Sequence, residues 1–282
     1  MSGGKIIQFD KSSFRRYSSR RAPGGDVAQI DFGYEGVAYA LENHALDARV
    51  PSEYMRDATQ KPGIDLGMRA VNVVMASLAL GLEYDQAAIA NNPASYPSGS
   101  VFNLGDGSHK QWDDATSDPA LDIERGIETV RANTGMPANV MIMGPKPYRY
   151  FKNHPNIIQR FRGISAESVT AARIAAMFDL EQVGIGYAVE AGNSDSDPFS
   201  DVWGDNVIIG YAPQASLGQE EPSYGYTYAL NGQPYVTVPT WKSEKRSFVY
   251  GVNFERAAVL TGQNAGYLIQ NAVAASAPPV QA

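Results

Sequence analysis

Cysteine is absent from all 282 residues, which excludes disulfides, thiolate metal sites and a cysteine nucleophile. Histidine is nearly absent too. His44, His109 and His154 lie far apart, and none has a metal-type companion at close spacing. His154 directly precedes Pro155 and reads as a helix cap. Long apolar runs are also lacking: Val71–Leu82 is interrupted by Asn72 and Ser77 and is too short to cross a bilayer. Met1-Ser-Gly-Gly-Lys5 has no apolar stretch of the signal-peptide kind. A soluble, unsecreted protein without a membrane partner is therefore expected.

Catalytic and nucleotide motifs are missing as well. Gly192-Asn-Ser194-Asp-Ser196 lacks the final glycine of a nucleophile elbow. Gly184-Ile-Gly186 has Val189 where a dinucleotide fingerprint needs its third glycine. Gly144-Pro-Lys146 lacks the glycine spacing and following hydroxyl of a phosphate loop. The nearest thing to a metal site is the acidic loop Asp195, Asp197, Asp201 and Asp205. Hard cations favour clustered oxygens, but the spacing is not that of an EF-hand and Pro198 interrupts it, so a solvated surface loop is the favoured reading. No cofactor is expected.

The chain does have a core-forming composition, with 44% hydrophobic and 19% charged residues. Its net charge of −7 is unevenly spread. Met1–Arg21 sets Lys5, Lys11, Arg15, Arg16, Arg20 and Arg21 against Asp10 alone, a net +5. Ala22–Gln60 sets seven acids, among them Glu42, Asp47 and Glu53, against Arg49 and Arg56. A second basic island holds Lys146, Arg149, Lys152, Arg160 and Arg162 with no acid between them. Each block alone suits a solvated face. Segregated opposite-sign blocks also suit a chain whose extended segments find complementary surfaces on its neighbours. The arm's arginines could neutralise phosphates, yet no base-reading module accompanies them, and protein carboxylates are an equal match.

The first 20 or so residues show no apolar periodicity and read as an arm, closed by Pro23-Gly24-Gly25. Short extended pieces follow (Val27/Ile30/Phe32 and Val37/Tyr39/Leu41), suited to a protruding two-stranded loop. Val71, Val74, Met75, Leu78, Leu82 and Ile89 predict one helix over Ile64–Ala90, roughly 40 Å long. Gly67 and Gly81 weaken it by about 1 kcal/mol each. Asp118-Pro119 starts a second helix and Gly135 ends it. Asn139–Met143 reads as a strand, and Pro147–Asn153 and Pro155–Phe161 as helical turns. Ser165 is expected to cap a third helix containing Val169, Ala172, Ala176 and Leu180. Val183–Val189, Val207–Tyr211, Phe248–Phe254 and Tyr267–Val273 read as strands. Asn231-Gly232 predicts a tight hairpin joining the Tyr224/Tyr226/Tyr228 strand to Tyr235–Val238. Ala274–Ala282 reads as a tail, mobile or draped over a neighbour.

Four segments in this order carry a resemblance: Met136–Gly144, Tyr150–Ile158, Val183–Val189 and Asp201–Asp205. Together they resemble the major capsid proteins of tailed bacteriophages with the Hong Kong 97-type fold, over most of Gly33–Val273. The resemblance implies an α+β fold with an N-terminal arm, an extended β-loop, a peripheral domain with a long spine helix, and an axial domain. The corresponding boundaries are 1–25 for the arm, 26–62 for the extended loop and 63–118 for the peripheral domain. The axial domain takes 119–218, the return to the peripheral domain 219–274, and the tail 275–282.

The function implied is structural and not enzymatic. Copies of the chain would assemble as hexamers and pentamers into an icosahedral shell around double-stranded DNA. Scaffolding, portal and decoration proteins would be its partners, with assembly in the host cytoplasm and residence in the virion capsid. Some members cross-link their loops through a lysine–asparagine bond, whereas Ala22–Gln60 contains no lysine. The short arm implies a separate scaffolding protein and not a fused one. Inter-subunit contacts are expected at Arg15, Arg16, Arg20 and Arg21 of the arm. They are also expected between Glu42, Asp47 and Glu53 on one copy and Lys146, Arg149 and Lys152 on another. The alternatives are an encapsulin-like nanocompartment shell and a metal-dependent hydrolase using the Asp195–Asp205 loop.

Overall fold

The computed structural model describes residues 3–7, 20, 36–59, 64–161, 169–192, 194, 197–213 and 223–275. In chain order its strands and helices begin with β1 (Gly3–Ile7), β2 (Gly36–Ala40), β3 (Glu42–Pro51), α1 (Ser52–Thr59) and α2 (Leu66–Ala90). Then come β4 (Val101–Asn103), α3 (Pro119–Thr134), β5 (Val140–Met143), α4 (Pro145–Asn153), α5 (Pro155–Phe161) and α6 (Ala171–Met177). The remainder is strand: β6 (Gln182–Ile185), β7 (Val189–Glu190), β8 (Ser200–Asp201), β9 (Val207–Gly210) and β10 (Gly225–Ala229). Last are β11 (Tyr235–Val236), β12 (Thr240–Lys242), β13 (Ser247–Leu260) and β14 (Gly266–Gln270). Among the described residues the chain divides into two compact units, one holding 38–86 and 226–259, the other 87–225 and 260–275.

The first unit is organised by β13. Its Ser247–Arg256 stretch pairs antiparallel with β3, from Ser247 opposite Pro51 to Arg256 opposite Glu42. β11 and β12 pair with some of the same residues and therefore occupy its other edge; β10 also pairs with β13. Side chains alternate faces along a strand, and the even-numbered set meets α2. Val252 is fully buried with Val74 and Leu78 of the helix stripe, and Phe254 packs beside them. Both helix glycines lie where the strand crosses. A Cβ on Gly67 would stand 2.7 Å from Tyr250 Oη, and one on Gly81 3.2 Å from an Arg256 nitrogen. The weakness these glycines bring to the helix is thus the condition for close helix–sheet approach. At 25 residues α2 is long and apolar enough to cross a membrane by length and composition, more so than the Val71–Leu82 run suggests.

The second unit holds a five-stranded sheet in the order β4-β14-β9-β5-β6. β9 is antiparallel to both neighbours, whereas β5 runs parallel to β6 and β14 parallel to β4. Val207 and Ile209 face one side with Tyr267 and Ile269, in the cluster that includes Ile123 and Val130 of α3 and Phe151 of α4. Ile208 and Leu268 face the other side with Tyr96, Trp203 and the last turn of α2. Coverage on both faces explains why β9 is a continuous apolar run. α3 is bounded as its sequence indicates. Asp118 Oδ1 accepts from the Leu121 amide at 3.3 Å, Pro119 opens the first turn, and Gly135 closes the helix at φ 74°.

Several expectations need correction. Asn231-Gly232 does turn the chain, with Gly232 at φ 81°, but no tight hairpin forms. β10 and β11 pair with β13 and not with each other, because the long strand offers an edge that both can use. The expected strand Val183–Val189 breaks into β6 and β7. Gly186 lies against Trp203, whose ring occupies the space a Cβ would need. The third helix starts at Ala171 after Thr170, so Val169 precedes it and Leu180 follows it; Ser165 lies outside the described residues. β2 pairs with β1 and β3 with β13, so the two do not form a hairpin, and α1 is an unforeseen helix. The Val27/Ile30/Phe32 pieces lie outside the described residues. β4 and β14 both join the sheet that contains β5. The start of the tail is held on its own chain, because Lys146 Nζ donates to the carbonyls of Ala274 and Ala275 at 2.7 and 3.2 Å.

Candidate assembly surfaces

For the self-association that the sequence resemblance implies, the candidate site is a set of surfaces, and its sequence-derived members are charged. Of the arm residues, Arg20 is exposed; Arg15, Arg16 and Arg21 lie outside the described residues. In the first unit Glu42, Asp47 and Glu53 are all exposed. Glu42 stands opposite Arg256 in the ladder, and its carboxylate is 3.8 Å from His44 Nε2. Asp47 stands opposite Gly251. Because 42 and 47 differ by an odd number, strand alternation sends their side chains to opposite faces of the sheet. They do not form one acidic flank. Glu53 lies in the first turn of α1, where a carboxylate favours the helix dipole.

The basic island divides in a similar way in the second unit. Lys146 is already engaged, with Asp205 Oδ2 at 3.4 Å as well as the two tail carbonyls. Partial burial raises the Asp205 carboxyl above its ordinary value, against the pull of Lys146. Arg160 reaches Glu124 at 3.3 Å and Asp118 at 3.9 Å. Arg149 is exposed, and Lys152 lies over the Tyr148 ring, 5.5 Å from its centroid. Among the described residues neither has a carboxylate within ion-pair distance. Two of the three expected recipients are thus open, and the third is part of the chain's own structure.

The sequence is 33% identical, over 274 residues, to the major capsid protein of Burkholderia phage BcepMu, covering 95% of this chain and 85% of that protein. The chain belongs to the major capsid proteins of tailed bacteriophages. The crystal structure of a phage-related protein from Bordetella bronchiseptica RB50 is 40% identical, with a TM-score of 0.79 over 96% of this chain and 87% of that one. The mature capsid of bacteriophage PhiM1 shares the fold at 9% identity, with a TM-score of 0.57 over 96% of this chain and 82% of that chain. No protein-family profile matches the sequence. The fold is the Hong Kong 97 type, and the role is that of a structural capsid protein.

The groups that might have carried chemistry have structural duties in this capsid protein. His154 is buried beside Ser117, with Ser117 Oγ 3.1 Å from its Nε2. However, its Nδ1 accepts from the Asn156 amide at 3.3 Å, at the start of α5. That fixes the remaining proton on Nε2, which donates to the Asp114 carbonyl at 3.1 Å. The ring cannot take a proton from Ser117 in this tautomer, so the pair is a helix cap and not a nucleophile with its base. In the acidic loop, Asp197 accepts from the Ser194 amide at 3.0 Å, Asp205 is paired with Lys146, and Asp201 is exposed on β8. Among the described residues no three histidine or acidic side chains are grouped to hold a metal; Asp195 lies outside them.

Proposed function

We propose that this chain is the shell subunit of a tailed bacteriophage, forming hexamers and pentamers of an icosahedral capsid around double-stranded DNA. The observation that carries this reading is the 33% identity to a phage major capsid protein along 95% of the chain. That extent favours a phage shell over the nanocompartment alternative. Its activity is self-association without catalysis, assembly takes place in the host cytoplasm, and scaffolding, portal and decoration proteins are its partners. We assign the first unit to the peripheral domain, with α2 as its spine helix, and the second to the axial domain.

The arm cations Arg15, Arg16, Arg20 and Arg21 contact carboxylates of adjoining copies. Glu42 and Asp47, on opposite faces of β3, serve two different contacts, and Glu53 a further one. Exposed pairs of this kind are worth only about 0–1 kcal/mol each, but repetition over a shell lets them set register and assembly rate. Sedimentation velocity of the purified chain, with and without chelator, tests the proposal. Large particles that persist in chelator are expected; a monodisperse monomer under all assembly conditions would refute it.

A further inference from the structure

Charge in the second unit is polarised along the sequence. From Ala132 to Arg173 there are six basic residues and one acid, Glu167. From Ile174 to Gly225 there are nine acids and no lysine or arginine. After internal pairing, Arg149 and Lys152 are the cations left without a carboxylate on α4 and α5 among the described residues. The same helix pair leaves Ile158 44% exposed.

The acidic stretch contains the two-stranded ribbon of β7 and β8, with Val189 opposite Asp201 and Glu190 opposite Ser200. Its apolar side chains are not folded inward: Tyr187 is 63% exposed, Val189 44% and Phe199 73%. Strand alternation places Phe199 on the same face as Val189 and Asp201. Among the described residues Asp197 accepts only from a backbone amide, while Glu190, on the other face with Ser200, accepts from Ser200 Oγ at 3.3 Å. An uncovered aromatic with a rim of unmatched acids is therefore set against an uncovered isoleucine with unmatched cations. Apolar centres inside charged rims are the anatomy of a protein interface. Two different complementary patches on one chain make a head-to-tail contact, the kind that closes into rings when its rotation permits.

We propose that the β7–β8 ribbon docks on the α4–α5 surface of a second copy, Phe199 and Val189 meeting Ile158 while Asp197 and Asp201 meet Arg149 and Lys152. This rests on the shell reading above. It assigns the open cations to the ribbon and not to the acidic residues of β3 and α1.

The native chain has no cysteine, so introduced thiols report contacts without background. Phe199→Cys chains mixed with Ile158→Cys or Arg149→Cys chains are assembled and treated with a flexible bis-maleimide. Cross-linked dimers in at least one mixture, and none from Phe199→Cys alone, are expected. In parallel, the double variant Asp197→Lys, Asp201→Lys should assemble about tenfold more slowly by light scattering. Adding Arg149→Glu and Lys152→Glu to the same chain should restore the rate. Particles that form normally but give no cross-link from Phe199→Cys, or that cross-link Glu42→Cys to Lys152→Cys instead, would overturn the ribbon assignment and leave the shell reading standing. An unaltered chain that forms no particles would overturn both.

Discussion

Removing the carboxylate of Asp85 strips the only ion-pair partner, among the described residues, from the most deeply buried cation of the first unit. The Arg256 side chain is 2% exposed; its Nη1 donates to Asp85 Oδ2 at 2.9 Å, and its Nε is buried without a hydrogen-bond partner. The guanidinium ties β13 to α2 beside Gly81. Breaking a fully buried pair from one side costs about 3–5 kcal/mol, because the remaining charge is stranded. Asp85 is 45% exposed, so water can reach part of the vacated space. Asp85→Ala should therefore cost less, about 2 kcal/mol. Arg256→Met removes the stranded charge and the unsatisfied Nε–H together, leaving a carboxylate that water can solvate. Its cost should stay under about 1.5 kcal/mol, as for other shape-conserving swaps. The double variant should be no worse than Asp85→Ala alone. Urea unfolding of the dispersed subunit, followed by circular dichroism, measures this; at a slope of about 2 kcal/mol/M, Asp85→Ala shifts the midpoint by about 1 M. If Arg256→Met proves costlier than Asp85→Ala, or the two effects add, the stranded-charge account is wrong.

The Asp122 carboxyl is pushed above its ordinary value of 3.8 by burial, while the Trp112 indole donating at 3.0 Å works the other way. A carboxyl raised in the folded state binds its proton more tightly there than in the unfolded chain. Stability is therefore lost as pH rises from 3.8 through the raised value. Asp122→Asn, which keeps an acceptor for Trp112, should gain stability relative to the native chain across that window in pH-dependent thermal unfolding; a constant difference would contradict this. His154→Ala should lower stability by about 2 kcal/mol through loss of the Asn156 cap and the buried ring. His154→Asn should recover part of it, and equal losses in urea melts would argue against the cap. Deleting residues 1–21 removes β1, the partner of β2, so circular dichroism should lose only a little strand signal while particle formation is impaired, because the basic arm is assigned to contacts between copies; normal particles of unchanged thermal stability would count against that assignment.

The helices were the most legible part of the chain. The spacing of Val71, Val74 and Leu78 and the punctuation of Asp118, Pro119 and Gly135 are local signals, and α2 and α3 follow them. Strand partners were less legible, because pairing is chosen over long separations. Asn231-Gly232 announces a turn, but nothing nearby reveals that β13 has an open edge for both flanking strands. The candidate site shows the same division. That acids and bases are segregated is plain in the sequence. That Lys146 is consumed by Asp205, 59 positions away, is not. The opposed directions of Glu42 and Asp47 follow from counting alternation once Glu42–Pro51 is one strand. Gly67 and Gly81 look like helix defects until Tyr250 and Arg256 are seen against them.

The shell proposed for this chain is a closed assembly of its own copies. Electron microscopy of the purified, assembled protein with icosahedral averaging tests it most directly. The account predicts closed particles whose capsomers are hexamers and pentamers of this subunit, with the second unit around the capsomer axes. Open sheets, helical tubes or dispersed monomers under every assembly condition would contradict it.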